Sequence, residues 1–299
     1  MSRIYISAIH KSSGKTTLTV GLAAALAQRG AEIQPFKRGP DYIDPGWLSL
    51  AAGRSCHNLD FHTQSEAELL AAVANVATPT VAPSTVGTRP CQATEAGSAA
   101  DFRGLPITLI EGNKGLHDGT DAHGRDSNAA LAALLQAPVV LLVDCRGMTR
   151  GIAPTLLGHA QFDPRIKVSG VIFNRVAGSR HERKLRQAVE HYTDLAVLGA
   201  LPEQAEISIQ APYLGLLPAA EQHAAQQTLR SIATATAEHV DLAAVMRIGA
   251  SAPELPAATK SRGFAGGGAT PPTTGKVTGN RANQVVCPRP RTTPQTVWE

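Results

Sequence analysis

Residues 3–17 read Arg3-Ile4-Tyr5-Ile6-Ser7-Ala8-Ile9-His10-Lys11-Ser12-Ser13-Gly14-Lys15-Thr16-Thr17, and the fold turns on this stretch. An apolar run of strand length over 3–9 enters a short polar loop. An Ala/Leu-rich segment follows over 16–29, with Leu18, Leu22 and Leu26 at i, i+4 spacing and Gly30 as its stop. Strand, loop, helix is the setting in which helix-start N–H groups and the helix dipole hold an anion. Ser12, Ser13, Gly14, Lys15, Thr16 and Thr17 are therefore expected to wrap a triphosphate. Lys15 would reach the β/γ-phosphates, and the Thr16 hydroxyl would take a Mg²⁺ position. The match to G-x-x-x-x-G-K-[ST] lacks its first glycine, whose place Ile9 takes. Lys11 reads as a solvated loop lysine.

Outward from this loop, short apolar runs recur at 32–36, 106–110, 138–143, 167–173 and 195–200. Helical patterns lie at 126–136, 151–161 and 179–192, and a further helical region spans 220–246. Continuous apolar strands alternating with helices predict an α/β domain: a doubly wound, mostly parallel sheet of the P-loop NTPase type, over residues 1–250. Two stretches break the pattern. Residues 77–104 are rich in Thr, Pro, Ala, Ser and Gly without period, and read as an irregular insert. Residues 251–299 read as a disordered Pro/Gly/Thr-rich tail.

The formal charge of +4 belongs to that tail. Within residues 261–299, Arg262, Lys276, Arg281, Arg289 and Arg291 face one acid, Glu299, so the first 260 residues are neutral overall. Five dispersed cations with only Phe264 and Trp298 beside them make a poor nucleic-acid site. No apolar run approaches a bilayer span, and no membrane contact is expected. Cys56, Cys91, Cys145 and Cys287 stand apart without metal-ligand spacing, which predicts free thiols and a cytoplasmic protein.

Two further loops sit at strand ends. Phe36-Lys37-Arg38-Gly39-Pro40-Asp41-Tyr42-Ile43-Asp44-Pro45 follows the second strand, and Leu109-Ile110-Glu111-Gly112-Asn113-Lys114-Gly115-Leu116-His117-Asp118-Gly119 the third. Open α/β sheets place ligands at the carboxyl ends of their strands, so both loops bring acids towards the phosphate loop. For Asp44 alone, a turn or helix-cap role is an equal alternative.

These two loops, with Asn58-Leu59-Asp60, Ser127-Asn128-Ala129, Asp144-Cys145-Arg146-Gly147-Met148-Thr149-Arg150-Gly151 and Phe173-Asn174-Arg175-Val176, resemble the ATP-binding domain of the cobyrinic acid a,c-diamide synthase family. The resemblance covers about residues 1–75 and 105–250 in order. The loop over 8–17 is most similar to a branch of sulfur bacteria that is proposed to amidate sirohaem. The resemblance implies a dethiobiotin-synthetase-like fold and an ATP-dependent carbon–nitrogen ligase. ATP would phosphorylate a peripheral acetate of a corrin or sirohaem-type macrocycle, and ammonia would displace the phosphate. By motif, Ser12, Ser13, Gly14, Lys15, Thr16 and Thr17 would hold ATP. Thr16, Glu111 and Asp41 or Asp44 would surround Mg²⁺, Lys15, Tyr42 and Asp118 would be catalytic, and Asn174 would meet the adenine.

The family's glutaminase domain has no counterpart here. None of the four cysteines has the strand-to-helix elbow its nucleophile needs. Ammonia would therefore come free or from a separate glutaminase, with a homodimer left open. A regulatory or partitioning ATPase of the deviant-Walker type is the competing function, yet Lys11 lies one residue off that signature lysine's spacing. The other alternative is an inactive truncated remnant, with 77–104 and the tail arising from frameshift or gene decay.

Overall fold

A computed structural model describes residues 1–76, 101–203 and 222–255. Most of the insert, nearly all of the tail, Cys91 and Cys287 lie outside the described residues. In chain order the elements are β1 (Arg3–Ala8), α1 (Lys15–Gln28), β2 (Glu32–Arg38), α2 (Asp44–Ala52), β3 (His57–Leu59), α3 (Glu66–Val76), β4 (Pro106–Glu111) and α4 (Asn128–Leu134). There follow β5 (Val139–Asp144), α5 (Ile152–Gln161), β6 (Val168–Val176), α6 (Ser179–Tyr192), β7 (Ala196–Pro202), α7 (Gln222–His239) and α8 (Leu242–Ala250).

The seven strands form one sheet in the order β3-β2-β4-β1-β5-β6-β7, and every strand pair is parallel. Parallel strands need crossover helices, which bury both faces, so the central strands are apolar throughout rather than alternating. One face packs against α1, α2, α7 and α8 through residues such as Leu22, Leu48, Ala233 and Val245. The other packs against α3–α6 through Leu69, Leu131, Leu156 and Leu185. Each fully buried Leu contributes about 1.5–3 kcal/mol relative to exposure.

α1 is buried all round from Leu18 to Leu26, beyond the single stripe its leucine spacing implies. It is enclosed because α7 lies directly over it. A Cβ on Gly21 would stand 2.1 Å from Thr236 Oγ1, so only glycine allows that approach. Gly30, at φ +85°, ends the helix as expected.

Three elements and two boundaries depart from the sequence reading. α2 begins at Asp44-Pro45-Gly46, which reads as loop, yet proline is well suited to a first helical turn. α3 opens with a capping box: Ser65 Oγ accepts from Glu68 N at 3.3 Å while Glu68 Oε2 accepts from Ser65 N at 2.8 Å. β3 is too short to show a period and exists through its pairing with β2. Within residues 101–104, the end of the stretch read as an irregular insert, Phe102 is buried in the core and its N–H donates to Arg29 O at 2.9 Å. The helical region at 220–246 is two helices. Val240 leaves α7 to bridge Gly199 antiparallel, and the Asp241 side chain caps α8 by accepting from Ala244 N at 2.8 Å.

Candidate active site

β1 lies at the centre of the sheet, between β4 and β5, and the phosphate loop crosses its carboxyl end. Gly14 takes φ +92° at the N-cap of α1 and turns the chain into the helix. The first-turn N–H groups of α1 then have no intrahelical acceptor and face the loop. Ser12 is also left-handed, at φ +64°, so the turn is made without a glycine at position 9. Ser13 Oγ closes it by donating to His10 O at 2.8 Å.

The end of β6 braces this loop. Asn174 Nδ2 donates to Ser13 O at 2.7 Å, and Arg175 Nη1 donates to Ser12 O at 3.1 Å. Arg175 is held in turn by Asp144 Oδ2 at 2.5 Å, which also accepts from Arg146 Nη2 at 2.8 Å. Burial works against the Asp144 carboxylate, but Arg146 and Arg175 outweigh it and hold its pKa low.

Lys15 is buried and makes no side-chain hydrogen bond or ion pair among the described residues. Burial is the main cause that lowers its pKa to about 8; Lys37 adds to this, while Glu111, Asp44 and Asp118 oppose it. Beside it, Thr16 Oγ1 donates to Glu111 Oε1 at 2.7 Å and lies 3.1 Å from Asp44 Oδ2. Lys37 Nζ reaches the same two oxygens, 2.8 Å from Glu111 Oε1 and 2.6 Å from Asp44 Oδ2. Burial opposes the Lys37 ammonium, yet the two carboxylates prevail and raise its pKa. Glu111 is fully enclosed; burial raises its carboxyl pKa, which Lys37 only partly offsets and Asp44 reinforces.

Asp41 is not part of this cluster. Its Oδ1 accepts from Ile43 N at 2.9 Å and Asp44 N at 3.2 Å, shaping the turn that delivers Asp44. Tyr42 is 63% exposed at the mouth, and Thr17 is half-buried in the first turn of α1. Asp118 Oδ2 accepts from Gly115 N at 3.1 Å, so it folds its own loop back. Asn128 holds the same loop from below: Nδ2 donates to Gly115 O at 2.8 Å, and Oδ1 accepts from Tyr5 Oη at 2.9 Å and Asn113 N at 3.2 Å. Lys11 is exposed. Cys56 and Cys145 are free thiols, each pushed up to about 12 by burial, and thus poor nucleophiles.

The residues fit a Mg²⁺ ion bound together with phosphates. Glu111 Oε2 is buried without a hydrogen-bond partner, an acceptor left open beside Thr16 and Asp44. No group of three or more His, Cys, Asp or Glu side chains among the described residues could hold a metal alone. The two carboxylates at Thr16 are the donor set of an ion that takes one or two carboxylates and completes its shell with substrate oxygens. The sequence assigns Lys37 no role: it stands directly after the apolar run 32–36, and only the structure shows that β2 continues through Lys37 to Arg38.

The parallel sheet, the loop and the acid pair at the head of α1 define a P-loop nucleotide-binding domain. Residues 4–213 match the CbiA family, described as the CobQ/CobB/MinD/ParA nucleotide binding domain, and the chain belongs to that family. It is 42% identical over 253 residues to a cobyrinate a,c-diamide synthase of Magnetococcus marinus, across 85% of this chain and 49% of that protein. It is 39% identical to the cobyrinate a,c-diamide synthase of Methanosarcina acetivorans, over 73% of this chain and 40% of that protein. Against the hydrogenobyrinate a,c-diamide synthase of Mycobacterium bovis it is 40% identical over 82% of this chain and 50% of that protein. The chain spans about half the length of the curated relatives it matches. No helix among the described residues is long and apolar enough to cross a membrane.

Proposed function

We propose that residues 1–250 form an ATP-dependent amidoligase domain acting on an acetate carboxylate of a corrin-type macrocycle. One observation carries this: the Thr16–Glu111–Asp44–Lys37 cluster beside an unpaired Lys15 at the head of α1. The chemistry must neutralise a phosphoryl group in transfer to an anionic acceptor, and preorganised cations and helix N–H groups do this with little reorganisation. Lys15 and the first turn of α1 hold the phosphates. Thr16, Asp44 and Glu111 would hold Mg²⁺, which would supply neutralisation of phosphate charge. A substrate carboxylate oxygen bonds to the γ-phosphorus as the bond to ADP breaks, giving an acyl phosphate. Ammonia then attacks the acyl carbon, phosphate leaves, and the amide forms. Tyr42 and Asp118 lie on the loops that flank the acceptor carboxylate, Asn174 meets the adenine beside the loop it touches, and Arg175 braces the phosphate loop. The nitrogen arrives as free ammonia or from a separate glutaminase.

The test is incubation with ATP, Mg²⁺, ammonium and either cobyrinic acid or sirohaem, followed by mass spectrometry of the macrocycle. The expected result is conversion of acid to amide with ADP release, and its loss by about 100-fold or more in Lys15→Ala. ATP turnover that ignores both macrocycles would overturn this function.

A further inference from the structure

Successive strand residues face opposite sides, so Lys37 goes to Thr16 and Glu111 while Arg38 goes to Asp126. Arg38 is only 7% exposed, and its Nε has no hydrogen-bond partner. Its ionic neighbour, Asp126 Oδ2, lies 3.7 Å from Nη2, beyond hydrogen-bond reach. Asp126 is occupied elsewhere: Thr120 donates through N to Oδ1 at 2.7 Å and through Oγ1 to Oδ2 at 2.5 Å. His62 Nε2 stands 3.4 Å from the same Oδ2. Asp126 therefore balances the Arg38 charge without using its donors.

A guanidinium is a planar fork of N–H donors matched to a carboxylate, and leaving it buried and unfilled is costly. Arg3 shows the filled case. It too is buried, with Nε on Leu135 O at 2.6 Å, Nη1 on Met1 O at 3.1 Å, and Nη2 on Gln136 O and Pro253 O. The strand order sets Arg38 two strands from the phosphate loop, about 10 Å away. The nucleotide phosphates are thus served by Lys15, and a different anion must serve Arg38. We infer that Arg38 anchors a second carboxylate of the substrate, one that is held while another is amidated. This rests on the proposed macrocycle, whose several acid side chains can span that separation.

The Arg38 Nε–H resonance of the full chain, assigned through the backbone, reads the unfilled donor directly. It is followed on adding cobyrinic acid, and separately tricarballylate as a simple polycarboxylate. Alongside, cobyrinic acid and a fluorescent ATP analogue are titrated into wild type, Arg38→Gln and Arg38→Lys. The expected result is a shift with cobyrinic acid and binding weakened by about tenfold or more in both variants, with ATP-analogue affinity unchanged. A shift with tricarballylate while wild type takes up no macrocycle would keep Arg38 as a carboxylate anchor and remove the macrocycle. Macrocycle binding without a shift, and equally strong in Arg38→Gln, would overturn the anchor and leave the proposed function standing. No shift with either acid would overturn the anchor outright.

Discussion

Arg3 and Arg38 are both buried arginines in parallel strands, one at the start of β1 and the other at the end of β2. At the amino edge of the sheet, Arg3 gives its donors to carbonyls of the α4–β5 turn, the N-terminus and the segment after α8. At the carboxyl edge, Arg38 Nε and Glu111 Oε2 stay unpartnered. Among the described residues the other buried side-chain polar atoms in that condition are two serine hydroxyls, Ser7 and Ser169. Both charged ones therefore lie at the edge where open α/β sheets bind ligands. Charge that serves the fold is satisfied within the fold. Charge kept for a ligand is held in place and left incomplete.

Replacing Arg3 is the largest blow to this contrast. Arg3→Met strips donors from several carbonyls and should cost about 2–4 kcal/mol of stability, read as a lower denaturant midpoint, while the folded fraction still binds ATP analogue. Arg38→Met, by the same logic, should leave the midpoint unchanged or raise it. Equal losses in the two variants would erase the distinction between the edges.

A middle case is the brace from β6. Arg175 touches the phosphate loop through Ser12 O yet belongs to an ion pair with Asp144. Arg175→Ala should weaken ATP-analogue binding by about tenfold with little change in stability, and Arg175→Lys should restore part of it. An unchanged affinity would mean that Ser12 and Ser13 hold the turn unaided.

Much of this edge was legible beforehand because its residues sit in the loops that end strands. Gly14, Lys15 and Thr16 follow from one motif, and the pairing of Thr16 with Glu111 follows from β4 lying beside β1. The choice between Asp41 and Asp44 was not legible. Both belong to one turn, and only its backbone hydrogen bonds turn Asp41 inward to the chain and Asp44 towards Thr16. Lys37 and Arg38 were missed for a related reason. A basic pair just past an apolar run shows its meaning only when the sheet continues through it and reveals which face each residue takes. The same limit hid β3 and the break after His239, both made by pairing with distant strands.

The finest distinction concerns Asp126, the neighbour that balances Arg38. Burial disfavours its charge, but the two Thr120 hydrogen bonds and Arg38 prevail and hold its pKa at about 2. An unfolded aspartate titrates near about 4. The folded state thus gains stability from this group above pH ~4 and loses it as pH falls towards ~2. In Asp126→Asn that gain is absent at every pH, so acid unfolding curves of variant and wild type should converge across the same interval. The shift should be smaller than that of Arg3→Met, since Thr120 can still donate to the amide oxygen. If Asp126 were the true partner of Arg38, the variant would also lose macrocycle binding. If Arg38 waits for a substrate carboxylate, removing the competing charge should leave that binding intact or strengthen it.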